Sequence, residues 1–179
     1  MQSPVKIAQI SAEALAVEFF RCSEGEWNSQ RRYYSLKNGE AQEVVSAIKI
    51  KFLEQGSQEL VELANLHKLE QNQVLVAGSK VTWESSYTGT SRKPSVGSTI
   101  FGISGNILYR DRGFATTKPV TATFKFTNPQ TMNLRTEYKG SLFEEELKLI
   151  GHKYRTRQTI ISRAGEEITI GQYLEKRVS

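Results

Sequence analysis

The sequence predicts a mostly β protein, an antiparallel meander of about nine or ten strands that closes into a barrel after an N-terminal helix. Three observations predict this architecture. Outside two short helical segments, nearly the whole chain alternates apolar and polar residues with a period of two. Turn-forming pairs such as Asn38-Gly39 and Lys139-Gly140 recur at the spacing of strands joined by short turns. A meander this long tends to close, because closure removes the exposed strand edges.

Two helices are expected beside the strands. The first is predicted over Ser11–Cys22, where apolar residues recur every three or four positions and Ser11 is a candidate N-cap. The second is predicted over Ser57–His67 from the same spacing. Its apolar side is expected to comprise Leu60, Leu63, Ala64 and Leu66.

The alternation also predicts which side chains share the inner face of the barrel. Trp83 lies in phase with Val81 on one strand, and an earlier strand has a row that is apolar except for one serine. That row is Val44, Ser46, Ile48, Ile50 and Phe52. The stretch Ser86–Ser98 is expected to be a mobile loop that places Arg92 and Lys93 at the rim. Barrels of eight or more strands leave room inside for one small ligand.

The composition excludes several classes of protein. The 179 residues fit one domain over 1–179, and 24 Lys and Arg against 19 Asp and Glu give a net charge of +5. These charges are scattered along the chain, which argues against a nucleic-acid partner. No run approaches the roughly 20 apolar residues of a membrane span, so no membrane association is expected. The single Cys22 and two histidines argue against a disulfide framework and against a metal site.

One predicted strand carries a carboxylate in an otherwise apolar row. On Leu142–Ile150, Glu145 shares its face with three apolar residues, and a buried carboxylate is costly unless it is paired. The next strand, His152–Ser162, sets Arg155 and Arg157 on the face that lies beside Glu145 across a short turn. The last strand adds a row that comprises Tyr173, Glu175 and Arg177.

These charged rows allow two interpretations. They can be a ladder of salt bridges that only fixes the register of the strands. Alternatively, they can be a ligand site in which arginines hold carboxylates and an acid exchanges a proton with a nitrogen base. The sequence contains no nucleophile elbow, phosphate loop or zinc-binding motif. The reactions that remain are those in which the ligand brings the reactivity.

The tripeptide Gly25-Glu26-Trp27 lies where the first helix meets the first strand. It resembles the G-x-W corner of the lipocalin and fatty-acid-binding superfamily, in which the tryptophan plugs one end of the barrel. This resemblance favours a calycin barrel.

A longer series of motifs covers nearly the whole chain. It comprises Phe19-Phe20, Ser23-x-Gly25-x-Trp27-x-Ser29-Gln30-Arg31, Trp83-Glu84, Tyr109-Arg110-Asp111-Arg112-Gly113-Phe114-Ala115, Leu134-Arg135-Thr136-x-Tyr138, Phe143-Glu144-Glu145, Arg155-x-Arg157 and Glu175-Lys176-Arg177. Each motif is weak alone, but in this order the series resembles the S-type phycobiliprotein bilin lyases, the CpcS/CpeS/CpcU group.

This resemblance implies a ten-stranded calycin barrel and a lyase activity. The family binds a linear tetrapyrrole, phycocyanobilin or phycoerythrobilin, and directs its attachment by a thioether bond to a cysteine of a phycobiliprotein. The bilin is a substrate, and no permanently bound cofactor is expected. The bilin-handling residues of the family fall on Glu145, Arg155, Arg157 and Glu175.

The resemblance also suggests roles for individual residues. Glu145 and Glu175 are expected to be the catalytic residues, which handle the proton taken up at ring A. The residues expected to bind substrate are Arg155, Arg157, Trp83, Tyr173 and Arg177. For the two arginines of the Arg155-x-Arg157 motif the hypothesis is a grip on the propionates, whereas both aromatic residues could also be core packing. Arg110-Asp111-Arg112 is expected to be either an ion-paired turn or a docking edge for the phycobiliprotein.

Partners and location follow from the same resemblance. The expected partners are apo-phycobiliprotein subunits of phycocyanin, phycoerythrin or allophycocyanin, with a paralogous lyase subunit or a second copy of the chain as a further partner. The expected location is the cyanobacterial cytoplasm near the thylakoid, or the plastid stroma of an alga. Two alternatives stay open: a non-catalytic partner subunit of a heteromeric lyase, and a lipid or fatty-acid carrier of the same fold.

Overall fold

The computed structural model describes residues 11–114 and 116–179, which form two helices and ten strands. In chain order the elements are α1 Ala12–Ser23, β1 Gly25–Ser35, β2 Ala41–Glu54, α2 Gln58–Leu66, β3 Ala77–Tyr87, β4 Ser95–Ser104, β5 Ile107–Arg110, β6 Val120–Asn128, β7 Thr131–Tyr138, β8 Ser141–Ile150, β9 Tyr154–Arg163 and β10 Glu166–Arg177.

The ten strands form a closed antiparallel barrel. Each strand pairs with its neighbours along the chain, and β10 pairs with β1 to close the sheet. The predicted architecture is therefore confirmed. The predicted inner row of β2 is also present, since Val44, Ser46, Ile48 and Ile50 are all buried while the residues between them are exposed.

Helix α1 fills one end of the barrel. Its start is fixed by Ser11, whose Oγ accepts a hydrogen bond of 3.1 Å from the backbone N–H of Ala14. Phe19 and Phe20 are buried against the inner faces of the strands. Trp27 lies beside the helix end, is 1% exposed, and donates from Nε1 to the carbonyl of Ser23 at 2.9 Å. We call this the closed end of the barrel.

Helix α2 packs on the outside of the barrel rather than in it. Leu60 and Leu63 are buried in a cluster that includes Tyr109, an outward-facing residue of β5. Gly102 of β4 makes this contact possible, because a Cβ there would lie 2.8 Å from a side-chain carbon of Leu75 in the same cluster. The prediction for Leu66 is wrong, since the side chain lies on the solvent face and is 48% exposed. Neither helix of the described residues is long and apolar enough to cross a membrane.

The loop predicted over Ser86–Ser98 is shorter in the structure. Strand β3 continues to Tyr87 because Tyr87 pairs with Val44 of β2, and β4 begins at Ser95, which pairs with Ser85. Within the loop, the guanidinium of Arg92 lies 4.2 Å from the centre of the Tyr87 ring.

Candidate functional site

The inner faces of the strands enclose a cavity of about 230 Å³ between the closed end and the opposite end. Phe19 and Phe20 of α1 contribute to its floor, and Phe114, which is 37% exposed, lies at the opposite end, which we call the mouth. Much of the wall is apolar or aromatic. Its charged lining residues are Arg31, Arg110, Arg112, Arg155, Arg157 and Glu145.

Glu145 and Arg157 form an ion pair on the cavity wall. Thr159 is the direct partner of Glu145 across β8 and β9, so Arg157, two residues along, is its diagonal neighbour on the same face. The Nε of Arg157 donates to Oε2 of Glu145 at 2.8 Å, and a terminal nitrogen of Arg157 contacts the same oxygen. The glutamate is buried. The structure thus brings together the two side chains that the strand pattern placed side by side.

Arg155 and Glu175 form a second ion pair, nearer the closed end. They are direct partners across β9 and β10, and Nε of Arg155 donates to Oε1 of Glu175 at 2.7 Å. Burial alone would raise the pKa of Glu175, but the charges of Arg155 and Arg157 outweigh it and hold the pKa below its ordinary value. Glu175 is therefore ionised at neutral pH. It lies behind Arg155 rather than on the cavity wall.

Tyr173 lies between two arginines of the neighbouring strands. It is paired with Arg31 across β1 and with Arg157 across β9. Their guanidinium carbons lie 4.9 Å and 5.2 Å from the centre of its ring, within cation–π range. Burial raises the pKa of the Tyr173 hydroxyl, so the hydroxyl remains a hydrogen-bond donor at neutral pH.

Trp83 provides an aromatic wall on the other side of the cavity. It is opposite Gly97 across β3 and β4, and a Cβ on Gly97 would lie 2.5 Å from Cζ2 of the indole. The missing side chain of Gly97 therefore leaves the space in which the indole lies. The guanidinium of Arg112 lies 5.2 Å from the indole ring. Trp83 and Tyr173 were expected either to line the cavity or to pack in the core, and the structure places both on the cavity wall.

Arg177 does not line the cavity, contrary to its expected place among the substrate-binding residues. Its guanidinium donates to the carbonyl oxygens of His152 at 2.7 Å and Cys22 at 2.6 Å, and contacts that of Glu24. The physical reason is its position at the last residue of β10, where the inner row meets the end of α1. Arg177 links the segments of the closed end, and each of its three guanidinium nitrogens contacts a backbone carbonyl.

The Arg110-Asp111-Arg112 segment is not the ion-paired turn that was one of its two expectations, and the docking edge stays a prediction. Asp111 does not pair with the arginines, because its Oδ1 accepts from Thr99 Oγ1 at 2.8 Å and from the Ile100 N–H at 3.1 Å. Arg110 and Arg112 both face the cavity. Arg110 is in phase with Leu108 on β5, but a strand of 4 residues is too short for this alternation to stand out in the sequence. The sequence analysis also missed Arg31 as a cavity residue, although it is in phase with the buried Trp27 on β1.

A closed antiparallel barrel that encloses a cavity for one small ligand is the architecture of the lipocalin type of ligand-binding protein. A family model described as "CpeS-like protein" matches residues 16–178. The chain belongs to this CpeS-like family.

Proteins similar to this chain carry consistent names. One from Nostoc sp. strain PCC 7120, named "Putative phycocyanobilin lyase CpcS 2", is 60% identical, and the match covers 99% of both chains. One from Picosynechococcus sp. strain PCC 7002, named "Putative chromophore lyase CpcV", is 50% identical over 98% of this chain and 87% of the other. The solved structure of the S-type phycobiliprotein lyase CPES from Guillardia theta superposes with a TM-score of 0.77 at 22% identity, covering 96% of this chain and 94% of that one. This structural likeness shows the shared fold.

Proposed function

We propose that this protein is a chromophore lyase that binds a bilin in the barrel and attaches it through a thioether bond to a cysteine of a phycobiliprotein subunit. The observation that carries the proposal is the Glu145–Arg157 pair, a buried carboxylate and guanidinium exposed to one aromatic-walled cavity. The names of the similar proteins and the family assignment support the same activity.

The cavity offers groups that complement a linear tetrapyrrole. The carboxylate of Glu145 can accept from pyrrole N–H groups, and the free N–H groups of Arg157 can donate to a terminal lactam oxygen. Trp83 and Tyr173 supply flat faces for the conjugated rings. Glu175 holds Arg155 in place through their buried bond and is a positioning residue in this proposal.

The proposed reaction needs no nucleophile from this chain. The acceptor's cysteine thiol adds across an exocyclic double bond on ring A: the S–H bond and the π bond break, one C–S bond and one C–H bond form, nothing is oxidised and nothing leaves. Glu145 lies on the cavity wall and is the candidate for moving the proton. The larger contribution of the protein is to hold one bilin geometry, so that the thiol attacks one carbon from one face.

The size of the cavity bears on how the bilin is held. Its volume of about 230 Å³ is below the roughly 300–1,000 Å³ of pockets that enclose drug-sized ligands. A four-ring bilin would therefore extend through the mouth past Phe114. This arrangement would present part of the pigment to the acceptor protein.

The finer assignments also belong to this proposal. The acceptors are subunits of phycocyanin, phycoerythrin or allophycocyanin, and the compartment is the cyanobacterial cytoplasm or a plastid stroma. The family assignment favours the lyase over a lipid carrier. A partner-subunit role in a heteromeric lyase differs from the main proposal in a measurable way, because such a chain would not transfer bilin alone.

The test is transfer of bilin to candidate apo-subunits, detected as a covalent, zinc-fluorescent band. Glu145→Gln should lower the transfer rate by roughly a hundredfold or more, because it removes the acid–base group and keeps the shape. Glu146→Gln is the matched control, since Glu146 is the next residue of β8 and is exposed on the outer face. Transfer by Glu145→Gln at the wild-type rate would overturn the role of Glu145. Absence of transfer by the wild-type chain with every acceptor would overturn the lyase proposal, and transfer that appears only with a paralogue would indicate the partner-subunit role.

A further inference from the structure

The arginines of the cavity differ in whether their charge is already balanced. Arg155 is bound to Glu175 and Arg157 to Glu145 through charge-assisted hydrogen bonds, so each has its counter-ion within the protein. Arg31, Arg110 and Arg112 have no ion pair with the described residues. The unbalanced positive charge of the cavity therefore lies on these three residues, where it would attract the carboxylates of a ligand.

Arg110 is the most deeply buried of the three. It is 8% exposed, and its guanidinium lies 4.9 Å from the ring centre of Phe101 and 4.7 Å from that of Phe114. Its Nε is buried and has no hydrogen-bond partner among the described residues. A buried donor on a charged group without a partner is costly, and the cost is removed when an anion binds. Burial accordingly lowers the pKa of Arg110, and Glu145 only partly offsets this effect.

The backbone around Arg110 is held on both sides of the sheet. Its carbonyl is hydrogen-bonded to Nε2 of His67, at the end of α2, at a distance of 2.8 Å. The adjacent Asp111 is bound to the backbone and side chain of β4 through Thr99 and Ile100. The side chain lines the cavity, and it extends from a strand end whose backbone is fixed. A donor held in place in this way loses little freedom when a ligand binds.

We propose that Arg110 is the receptor for a propionate carboxylate of the bilin, on the cavity wall beside Phe114. This inference rests on the proposed function and refines it. The earlier hypothesis gave both propionates to Arg155 and Arg157, but the Nε of each is bound to a glutamate. In the refined arrangement the paired groups meet the nitrogens and lactam oxygens of the pigment, and Arg110 binds one of its acids.

The test compares a bilin with its propionate dimethyl ester, which has the same rings and no carboxylate. Dissociation constants for both are measured by absorbance titration with the wild type, with Arg110→Met and with Arg135→Met. For the free acid, Arg110→Met should bind about tenfold to a hundredfold more weakly than the wild type, because a charge-assisted hydrogen bond is lost. For the ester, the two proteins should bind equally well. Arg135→Met, on the exposed face of β7, should leave both constants unchanged.

The other outcomes are equally informative. If Arg110→Met keeps the wild-type affinity for the free acid, or loses affinity for acid and ester alike, the assignment is overturned. A wild type that binds neither ligand would overturn the proposed function and this assignment together.

Stability gives an independent readout of the same proposal. Because Met removes an unpartnered buried charge, Arg110→Met should have an unfolding midpoint in urea equal to or above that of the wild type. A midpoint well below it would show that the contacts of Arg110 within the protein outweigh the cost of burying its charge, and would overturn the proposal. Should Arg110→Met not fold, Arg110→Lys is the second variant, because lysine keeps the positive charge but lacks the planar guanidinium. Arg110→Lys should bind the free acid several-fold more weakly than the wild type and bind the ester equally well. Unchanged binding of the free acid would again overturn the assignment.

Discussion

At the scale of single residues, the buried pair of Arg155 and Glu175 has the largest expected effect on stability. The side chains are 7% and 1% exposed, so neither partner can be solvated if the other is removed. Glu175→Gln should lower the free energy of unfolding by about 3–5 kcal/mol, because it leaves a buried guanidinium without its counter-ion. Urea denaturation of both proteins measures this difference.

The matched control for this prediction is an exposed pair of the same chemistry. Arg135 and Glu137 are bonded on the outer face, and both side chains are more than half exposed. Glu137→Gln should change the free energy of unfolding by no more than about 1 kcal/mol. Equal effects of Glu137→Gln and Glu175→Gln would contradict the assigned importance of the buried pair.

The lowered pKa of Glu175 also predicts how stability depends on pH. A carboxyl whose folded pKa lies below its unfolded value stabilises the fold fully above the unfolded pKa, which is about 4.3 for glutamate. That contribution is lost as the pH falls from there through the folded pKa. Between neutral pH and about pH 3, the wild type should therefore lose more stability than Glu175→Gln. Urea unfolding at a series of pH values checks this, and parallel acid profiles for the two proteins would refute it.

At the scale of elements, Arg177 links the end of α1 to the turn before β9. Its guanidinium meets the backbone carbonyls of Cys22 and Glu24 at the end of α1 and that of His152 in the turn. Arg177→Ala should lower the free energy of unfolding by about 2 kcal/mol, because charge-assisted hydrogen bonds are lost at the closed end. Thermal and urea unfolding measure the loss, with Lys176→Ala on the outer face of β10 as the control. A bilin affinity that falls while stability is unchanged would indicate a ligand-binding role instead.

The faces of long strands were predictable from sequence. A strand has only two faces, and on β8 and β9 the apolar alternation identifies the inner one. With the inner face known and a short turn joining the strands, Glu145 had to lie within reach of an arginine on β9. These two facts place both Arg155 and Arg157 on the face beside Glu145, and the observed register then selects Arg157 as its partner.

The orientations of Arg110 and Arg177 were not predictable from the alternation within their own strands. Strand β5 has only 4 residues, which is too short for alternation to stand out, so the inward direction of Arg110 was missed. Arg177 is in phase with the inner-facing residues of β10 but lies at the end of that strand, where it donates to backbone carbonyls at the end of α1. The pattern of a single strand does not contain the position of a helix that packs across it.

At the scale of the whole molecule, Phe114 partly covers the mouth of the cavity. Its ring stacks on Phe143 with centroids 4.8 Å apart, and the guanidinium groups of Arg110 and Arg157 lie near it. Phe114→Ala should speed both the uptake and the release of bilin, since the same obstacle is removed in both directions. Stopped-flow absorbance measures both rates, with the exposed Tyr154, at the start of β9, changed to Ala as the control. Rates identical to those of the wild type would show that the ring does not lie on the route of the pigment.

The helix across one end of the barrel has a consequence for the order of events. With α1 filling that end, a pigment that enters the barrel has to leave through the opening by which it arrived. The donor that supplies the bilin and the subunit that receives it must then bind at the same opening, one after the other. A high concentration of the acceptor subunit would therefore slow the uptake of the next bilin.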